Sequence, residues 1–173
     1  NNNVAFGYGS LLANTAGNNN VAIGYQSMAA NTTASNLLAV GYQAMYSNTT
    51  GADNISLGSQ NMRSNTTGSV NVSMGGQASY ANTTGFANTS IGYRAAYATT
   101  TGYGNTSMGD SALRSNILGS NNVAIGRKTG TLRAAYDNST FVGQGADASV
   151  TGLSNAMALG YNASVDANNK VVV

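Results

Sequence analysis

Bulky apolar positions recur along the chain in a fixed frame with glycine. Glycine stands at Gly7, Gly24, Gly41, Gly58, Gly75, Gly92, Gly109, Gly126, Gly143 and Gly160, every 17 residues without insertion or deletion. One place before each stands Phe6, Ile23, Val40, Leu57, Met74, Ile91, Met108, Ile125, Val142 or Leu159. Three places before stands Val4, Val21, Leu38, Ile55, Val72, Thr89, Thr106, Val123, Thr140 or Met157. The residue between is Ala or Ser in nine coils and Phe141 in the other. Large, small, large over three residues is the two-residue period of a strand. A helix would need apolar recurrence at three and four residues, and it accepts this much Gly, Asn and Thr badly.

Each repeat therefore predicts a short strand such as Asn20-Val21-Ala22-Ile23, a glycine turn, a second short strand such as Tyr25-Gln26-Ser27-Met28, and a return loop. The loop has its own columns: Asn14, Asn31, Asn48, Asn65, Asn82 and Asn116, then Thr15, Thr32, Thr49, Thr66, Thr83 and Thr100, closed by Gly17, Gly51, Gly68, Gly85, Gly102 and Gly119. Asn and Gly accept positive φ in turns. The fold class expected is all-β: a parallel β-solenoid, or β-roll, of ten 17-residue rungs. Rungs stacked about 4.8 Å apart make a rod of roughly 50 Å, with like side chains in ladders. The repeats are regular over 1–126 and degenerate over 127–173, where Arg133-Ala134-Ala135-Tyr136 and Val150-Thr151-Gly152-Leu153 replace the loop. Asn169-Lys170-Val171-Val172-Val173 reads as a strand arriving three residues early. The chain starts at Asn1 and stops in mid-repeat, which reads as an excerpt of a longer fibrous protein.

The ten residues before the anchor glycines are expected to form the core ladder, each rung turning about three large side chains inward (Val21, Ile23 and Met28, for one). Ordering 17 residues around so few is costly, at about 1–2 kcal/mol per residue against roughly 1.5–3 per buried large side chain. Further burial between chains is therefore expected: a homo-oligomer packed along the rod through the small column, Ala22 and Ala39, and through Tyr25, Tyr42 and Tyr93.

Composition narrows the chemistry. Only 7% of residues are charged, the net charge is +2, and His, Cys, Pro, Trp and Glu are absent. That removes disulfides, thiol nucleophiles, standard zinc sites and imidazole bases. No metal or cofactor is expected, and no enzyme, since the five Asp residues fall in different columns. Repeat-type calcium rolls need an Asp in every turn; here Gly75-Gly76 is a single doublet and Asp147 near Gly145 stands alone. Arg127, Lys128 and Arg133 form a small basic cluster, far short of the stripe that nucleic acid needs. No apolar run approaches a membrane span. Asn-x-Ser/Thr triplets such as Asn31-Thr32-Thr33 follow from the composition.

The segments Asn20-Val21-Ala22-Ile23-Gly24 and Asn121-Asn122-Val123-Ala124-Ile125-Gly126 resemble the head repeats of YadA-type trimeric autotransporter adhesins, and related repeats of bacterial and phage tail-fibre-like proteins. The likeness runs over nearly the whole chain, though the 17-residue rung is longer than usual in such heads. The resemblance implies a left-handed roll packed as a homotrimer. It also implies an extracellular place on a cell or virion surface, with a cell-surface, matrix or glycan receptor as partner. The function expected is a non-enzymatic structural or adhesive segment of a surface fibre. Two alternatives are an ice-binding or other ligand-reading face on the stacked Thr32, Thr49, Thr66 and Thr83, and a self-assembling filament.

Overall fold

The computed structural model describes residues 2–131 and 135–173; those residues are all-β, with no helix. Eleven short strands pair in chain order in one parallel sheet. Val21, Ala22 and Ile23 lie opposite Leu38, Ala39 and Val40, and the 17-residue offset holds from Val4–Phe6 to Met157–Leu159. The final strand, Val171–Val172, pairs with Met157 and Ala158 at an offset of 14. A second, two-stranded sheet joins Asp147–Ala148 to Ser164–Val165.

The ten anchor glycines all have φ between 122° and 139°, a range that L side chains rarely adopt. Close approach forbids a side chain as well. A Cβ on Gly58 would stand 2.6 Å from the carbonyl oxygen of Gly75.

The segment after the glycine is not the second strand expected. Tyr25–Met28 runs through two tight turns, closed by Ser27 N–H to the Gly24 carbonyl at 3.3 Å and Asn31 N–H to the Met28 carbonyl at 3.1 Å. Gln26 and Met28 have φ of 52° and 51°. Left-handed backbone costs a non-glycine residue about 1–2 kcal/mol. Two things offset that cost. The turns still bond from rung to rung, Gln26 N–H to Tyr8 at 2.8 Å and Met28 N–H to Ala44 at 3.0 Å. The geometry also turns Met28 wholly inward.

The faces of the strand are the reverse of the expectation. Ala22 is 0% exposed and Ile23 38%. Ala39, Ser56, Ser73, Ser90, Ser107, Ala124 and Ala158 are buried like Ala22. The expected core ladder faces outward: Phe6, Ile23, Met74, Met108 and Ile125 are exposed, and Val40, Leu57, Ile91, Val142 and Leu159 are half-buried. Of Val21, Ile23 and Met28, only Met28 is a core residue. Ala22 and Ala39, expected at an interface, lie in the interior of the single chain.

The cause is the narrowness of the rung. Strand and turn face each other so closely that at most one large side chain fits between them, and in four rungs the turn supplies it: Met28, Met45, Met62 and Leu113 are fully buried, while Ser79 and Ala96 are buried at the same position elsewhere. Phe141 tests the rule. Where the strand brings this large ring inside, the turn position opposite is Gly130, and a Cβ there would lie 3.2 Å from the Phe141 ring and 2.9 Å from Leu113.

Much of the rest of the interior is polar. One asparagine column, expected from the loop, buries Asn31, Asn48, Asn65, Asn82 and Asn116. Asn65 Nδ2 donates to Asn48 Oδ1 in the rung before at 2.7 Å and to the Gly68 carbonyl at 2.9 Å. A second column, Asn20, Asn54, Asn71, Asn88, Asn105 and Asn122, is buried beside it, with the buried Leu37 in place of one asparagine. Asn71 Nδ2 reaches the Gly85 carbonyl at 2.9 Å, while its Oδ1 accepts Asn88 N–H at 2.9 Å. These amides satisfy turn carbonyls that have no other route to a donor.

The first column has one fault. Thr99 stands where the next asparagine belongs, and its hydroxyl donates to the Asn116 carbonyl at 2.7 Å instead. Asn82 Oδ1, in the rung before, is buried with no partner. Thr99→Asn is therefore expected to raise unfolding stability by about 1 kcal/mol by closing the ladder, whereas Asn65→Leu should lower it by about 1–3. Denaturant unfolding followed by circular dichroism checks both; a Thr99→Asn protein less stable than the parent would remove this account of the interior.

Candidate functional site

Among the described residues there is no cluster of His, Cys, Asp or Glu that could hold a metal, no pocket, and no helix long and apolar enough to cross a membrane. What the surface does offer are side-chain columns running the length of the rod.

The first is the outward face of the strands. Val21 and Ile23 flank the interior Ala22, so the equivalents of Ile23 stack into an apolar column; the Val21 column beside it includes Thr89, Thr106 and Thr140, and the Tyr25 column mixes five tyrosines with Ser59, Gly76, Asp110, Arg127 and Gln144. Nine rung spacings and three residues of strand make a face of roughly 400 Å². Apolar patches of a few hundred Å² on soluble proteins often mark a contact site. The tyrosines close its edge. Tyr8 stacks on Tyr25 with centroids 5.5 Å apart, and Tyr25 on Tyr42 at 5.6 Å. Tyr93 belongs to the same column, and Tyr25, Tyr42 and Tyr93 are all about half exposed. The expected interface thus divides: its tyrosines are on the surface and its alanines are not.

The threonine column is in place, but its hydroxyls are engaged. Thr32, Thr49, Thr66 and Thr83 each donate through Oγ1 to the backbone carbonyl of the next threonine in the column, at 3.1, 3.0, 3.0 and 3.1 Å. The column braces the return loop, and this engagement weakens it as a hydroxyl array for ice or another ligand. Asn31 of the triplet Asn31-Thr32-Thr33 is likewise buried in its ladder.

Of the basic cluster, Arg127 pairs with Asp110 at 3.5 Å, both partly exposed, and Lys128 is exposed. Arg133 and Ala134 lie outside the described residues. Near the C-terminus, the exposed Lys170 holds the Asp166 carboxyl below its ordinary value through a 2.6 Å contact.

Sequence reasoning missed two constellations on the turn edge and in the terminal rungs. On the turn edge, Gln26, Gln43, Gln60 and Gln77 form a column two places after the anchor glycine, and Arg63 and Arg94 bond into it. The recurring Gln was visible as a pattern, but nothing in the spacing said that two arginines would close on it. In the degenerate rungs, Tyr136 occupies the loop-glycine position and is fully buried against Phe141, ring centroids 5.1 Å apart. Its hydroxyl donates to Asp147 Oδ1 at 3.2 Å, while Asp147 Oδ2 accepts the N–H and hydroxyl of Thr131 at 2.7 and 3.0 Å. Burial first, then the neighbouring carboxylate and its hydrogen bond, push the Tyr136 phenol far above its usual value. The pair caps the polar interior with an aromatic plug.

Compared with protein-family models, with curated proteins and with solved structures, the chain matches none. The class that the coordinates define is that of a parallel β-solenoid with an amide-lined interior.

The plug carries a pH signature. An unfolded phenol ionises near pH 10 and the folded one well above it, so the stabilisation is complete below that value and is lost as pH rises beyond it. Unfolding stability is expected to fall above about pH 10, and Tyr136→Phe should make that fall shallower by one proton while lowering the neutral-pH baseline. Urea melts across the alkaline range measure both; an unchanged slope would mean that Tyr136 ionises freely in the folded chain.

Proposed function

We propose that this chain is a non-enzymatic structural and adhesive segment of an extracellular surface fibre, packed as a homotrimer of left-handed rolls around an axis parallel to the rod. The observation that carries this reading is the outward apolar column of Ile23 and its equivalents, flanked by Val21 and its equivalents and by the exposed Tyr8, Tyr25, Tyr42 and Tyr93. A chain that keeps amides and small residues inside and presents Val, Ile, Met and Tyr outside has placed its largest hydrophobic surface where only another molecule can cover it. The stripe is repetitive and straight, so its best cover is an equally straight copy with the same rise per rung. Three copies around one axis would each contribute the stripe to a common seam, leaving the polar loops outward. The resemblance of the Asn-x-Val-Ala-Ile-Gly segments to trimeric adhesin heads supports the number three, the handedness and the surface location.

The test is mass in solution. Sedimentation equilibrium is expected to give three times the 17.4 kDa chain. Ile23→Asp together with Ile91→Asp should release monomers that keep a β-type circular dichroism spectrum, because neither side chain belongs to the interior. A parent protein that stays monomeric at every concentration measured would overturn the trimer.

A further inference from the structure

The turn edge of the rod carries a charge pattern that the apolar stripe does not explain. Asp53 is the only acidic residue before Asp110, and it lies on the opposite, loop edge, accepting from Asn36 Nδ2 at 3.0 Å. Arg63 and Arg94, in contrast, both lie on the turn edge, in the fourth and sixth rungs. Neither makes an ion pair, and each is held in the same way. Arg63 donates Nε–H to Gln43 Oε1 at 3.1 Å and lies over the Tyr46 ring at 5.2 Å. Arg94 donates Nε–H to Gln77 Oε1 at 2.8 Å and lies over Tyr93 and Tyr97 at 5.0 and 5.5 Å. The glutamines are themselves fixed, Gln43 Nε2 on Gln26 Oε1 at 2.9 Å and Gln77 Nε2 on Gln60 Oε1 at 3.0 Å.

Two features make this more than a solvated face. A free surface arginine loses considerable rotamer entropy on binding; here glutamine and tyrosine have already fixed both guanidinium planes. The bond to glutamine also uses Nε–H and not the terminal amino groups of each fork. Those are the groups that grip a carboxylate or sulfate in paired hydrogen bonds. Between the two forks, Tyr80 stacks on Tyr97 with centroids 5.2 Å apart, giving an apolar floor edged by phenolic hydroxyls.

We propose that Arg63 and Arg94, with Tyr80 and Tyr97 between them, form a binding strip for an anionic polysaccharide that runs along the rod. Two rungs separate the cations by about 10 Å, which suits a polymer carrying one carboxylate or sulfate per disaccharide. Nucleic acid fits less well, because duplex DNA presents a charge about every 1.7 Å and binds by neutralising many phosphates at once. The tyrosine faces are moreover turned against each other and not towards an incoming base. The inference rests on the adhesive half of the proposed function and not on its trimer.

The experiment uses the whole chain in its solution assembly, with immobilised hyaluronan oligosaccharides as the probe and duplex DNA and neutral dextran as comparators, at about 0.15 M salt. Saturable binding to hyaluronan is expected, at least tenfold tighter than to DNA or dextran. Arg63→Gln and Arg94→Gln should each weaken it about tenfold, and Gln77→Leu, which keeps every charge, about threefold. Lys128→Gln removes one exposed cation from the same edge and should leave binding unchanged. Equal losses from Lys128→Gln and Arg94→Gln would reduce the strip to bulk charge and overturn the proposal. Tighter binding of DNA, or no binding of hyaluronan, would overturn it too. The solution mass of each variant, read in parallel, separates failure of the strip from failure of the assembly.

Discussion

Each rung closes on itself in 17 residues, and its turns leave carbonyl groups pointing into an interior too narrow for a second backbone to reach them. The side-chain amide of asparagine meets this need because it donates and accepts at once. In the second asparagine column, Asn71 gives its Nδ2 to the Gly85 carbonyl and takes Asn88 N–H on its Oδ1, so every asparagine joins its own rung to the next. A hydroxyl has too short a reach and an aliphatic side chain has no donor. Buried polar groups are costly unless satisfied and strongly specifying when they are. These columns therefore fix the register of the stack: a slip of one residue would strand a whole column of amides at once. The rest of the fold is built around this constraint.

Because the amides take up much of the interior, little room remains for apolar bulk. It is filled asymmetrically, by one long side chain from a left-handed turn position and one small side chain from the strand. Met28 with Ala39, eleven residues on, is the commoner arrangement, and Gly130 with Phe141 at the same spacing is its inverse. The bulky members of the strand pattern are left to the outside, where they align into a stripe. A polar inside and an apolar outside are thus two consequences of one narrow cross-section.

The stacking itself was legible in the sequence, because ten glycines in one register admit few other arrangements. The early final strand at Val171–Val172 was legible for the same reason. Which way the strand faces was not. An alternation of large and small residues shows that the two faces differ, and the usual assumption puts the large one inside; the dimension that reverses it, the distance to the opposing turn, is not written in the strand. A signal did exist. The small column keeps to Ala or Ser in nine rungs, and the turn position that packs on Phe141 is Gly130, where five earlier rungs carry Met or Leu and two carry Ser79 and Ala96. Compensation of that kind marks a packed interior. The turn segment was misread as a strand because Tyr25-Gln26-Ser27-Met28 has no glycine to announce its positive φ values. The pairing of Arg63 with Gln43 was beyond reach, since it joins residues 20 apart that only the stacking brings together.

The internal repeats also act as a set of substitutions made within one molecule, and they distinguish the two kinds of surface. The inward strand column tolerates almost no change in volume, as tight packing at native density requires. The outward column before the glycine ranges from Val to Phe and Met, and the one before it from Thr to Leu and Met. A surface that selects for hydrophobicity while accepting such variation in shape is one whose cover adjusts rung by rung. A copy of the same chain, carrying the same variation at the same height, adjusts in that way, because each rung then meets its own equivalent. A partner of unrelated sequence would instead have to match ten different outlines along a straight line. The variation along the stripe thus supports the proposed packing of the chain against copies of itself.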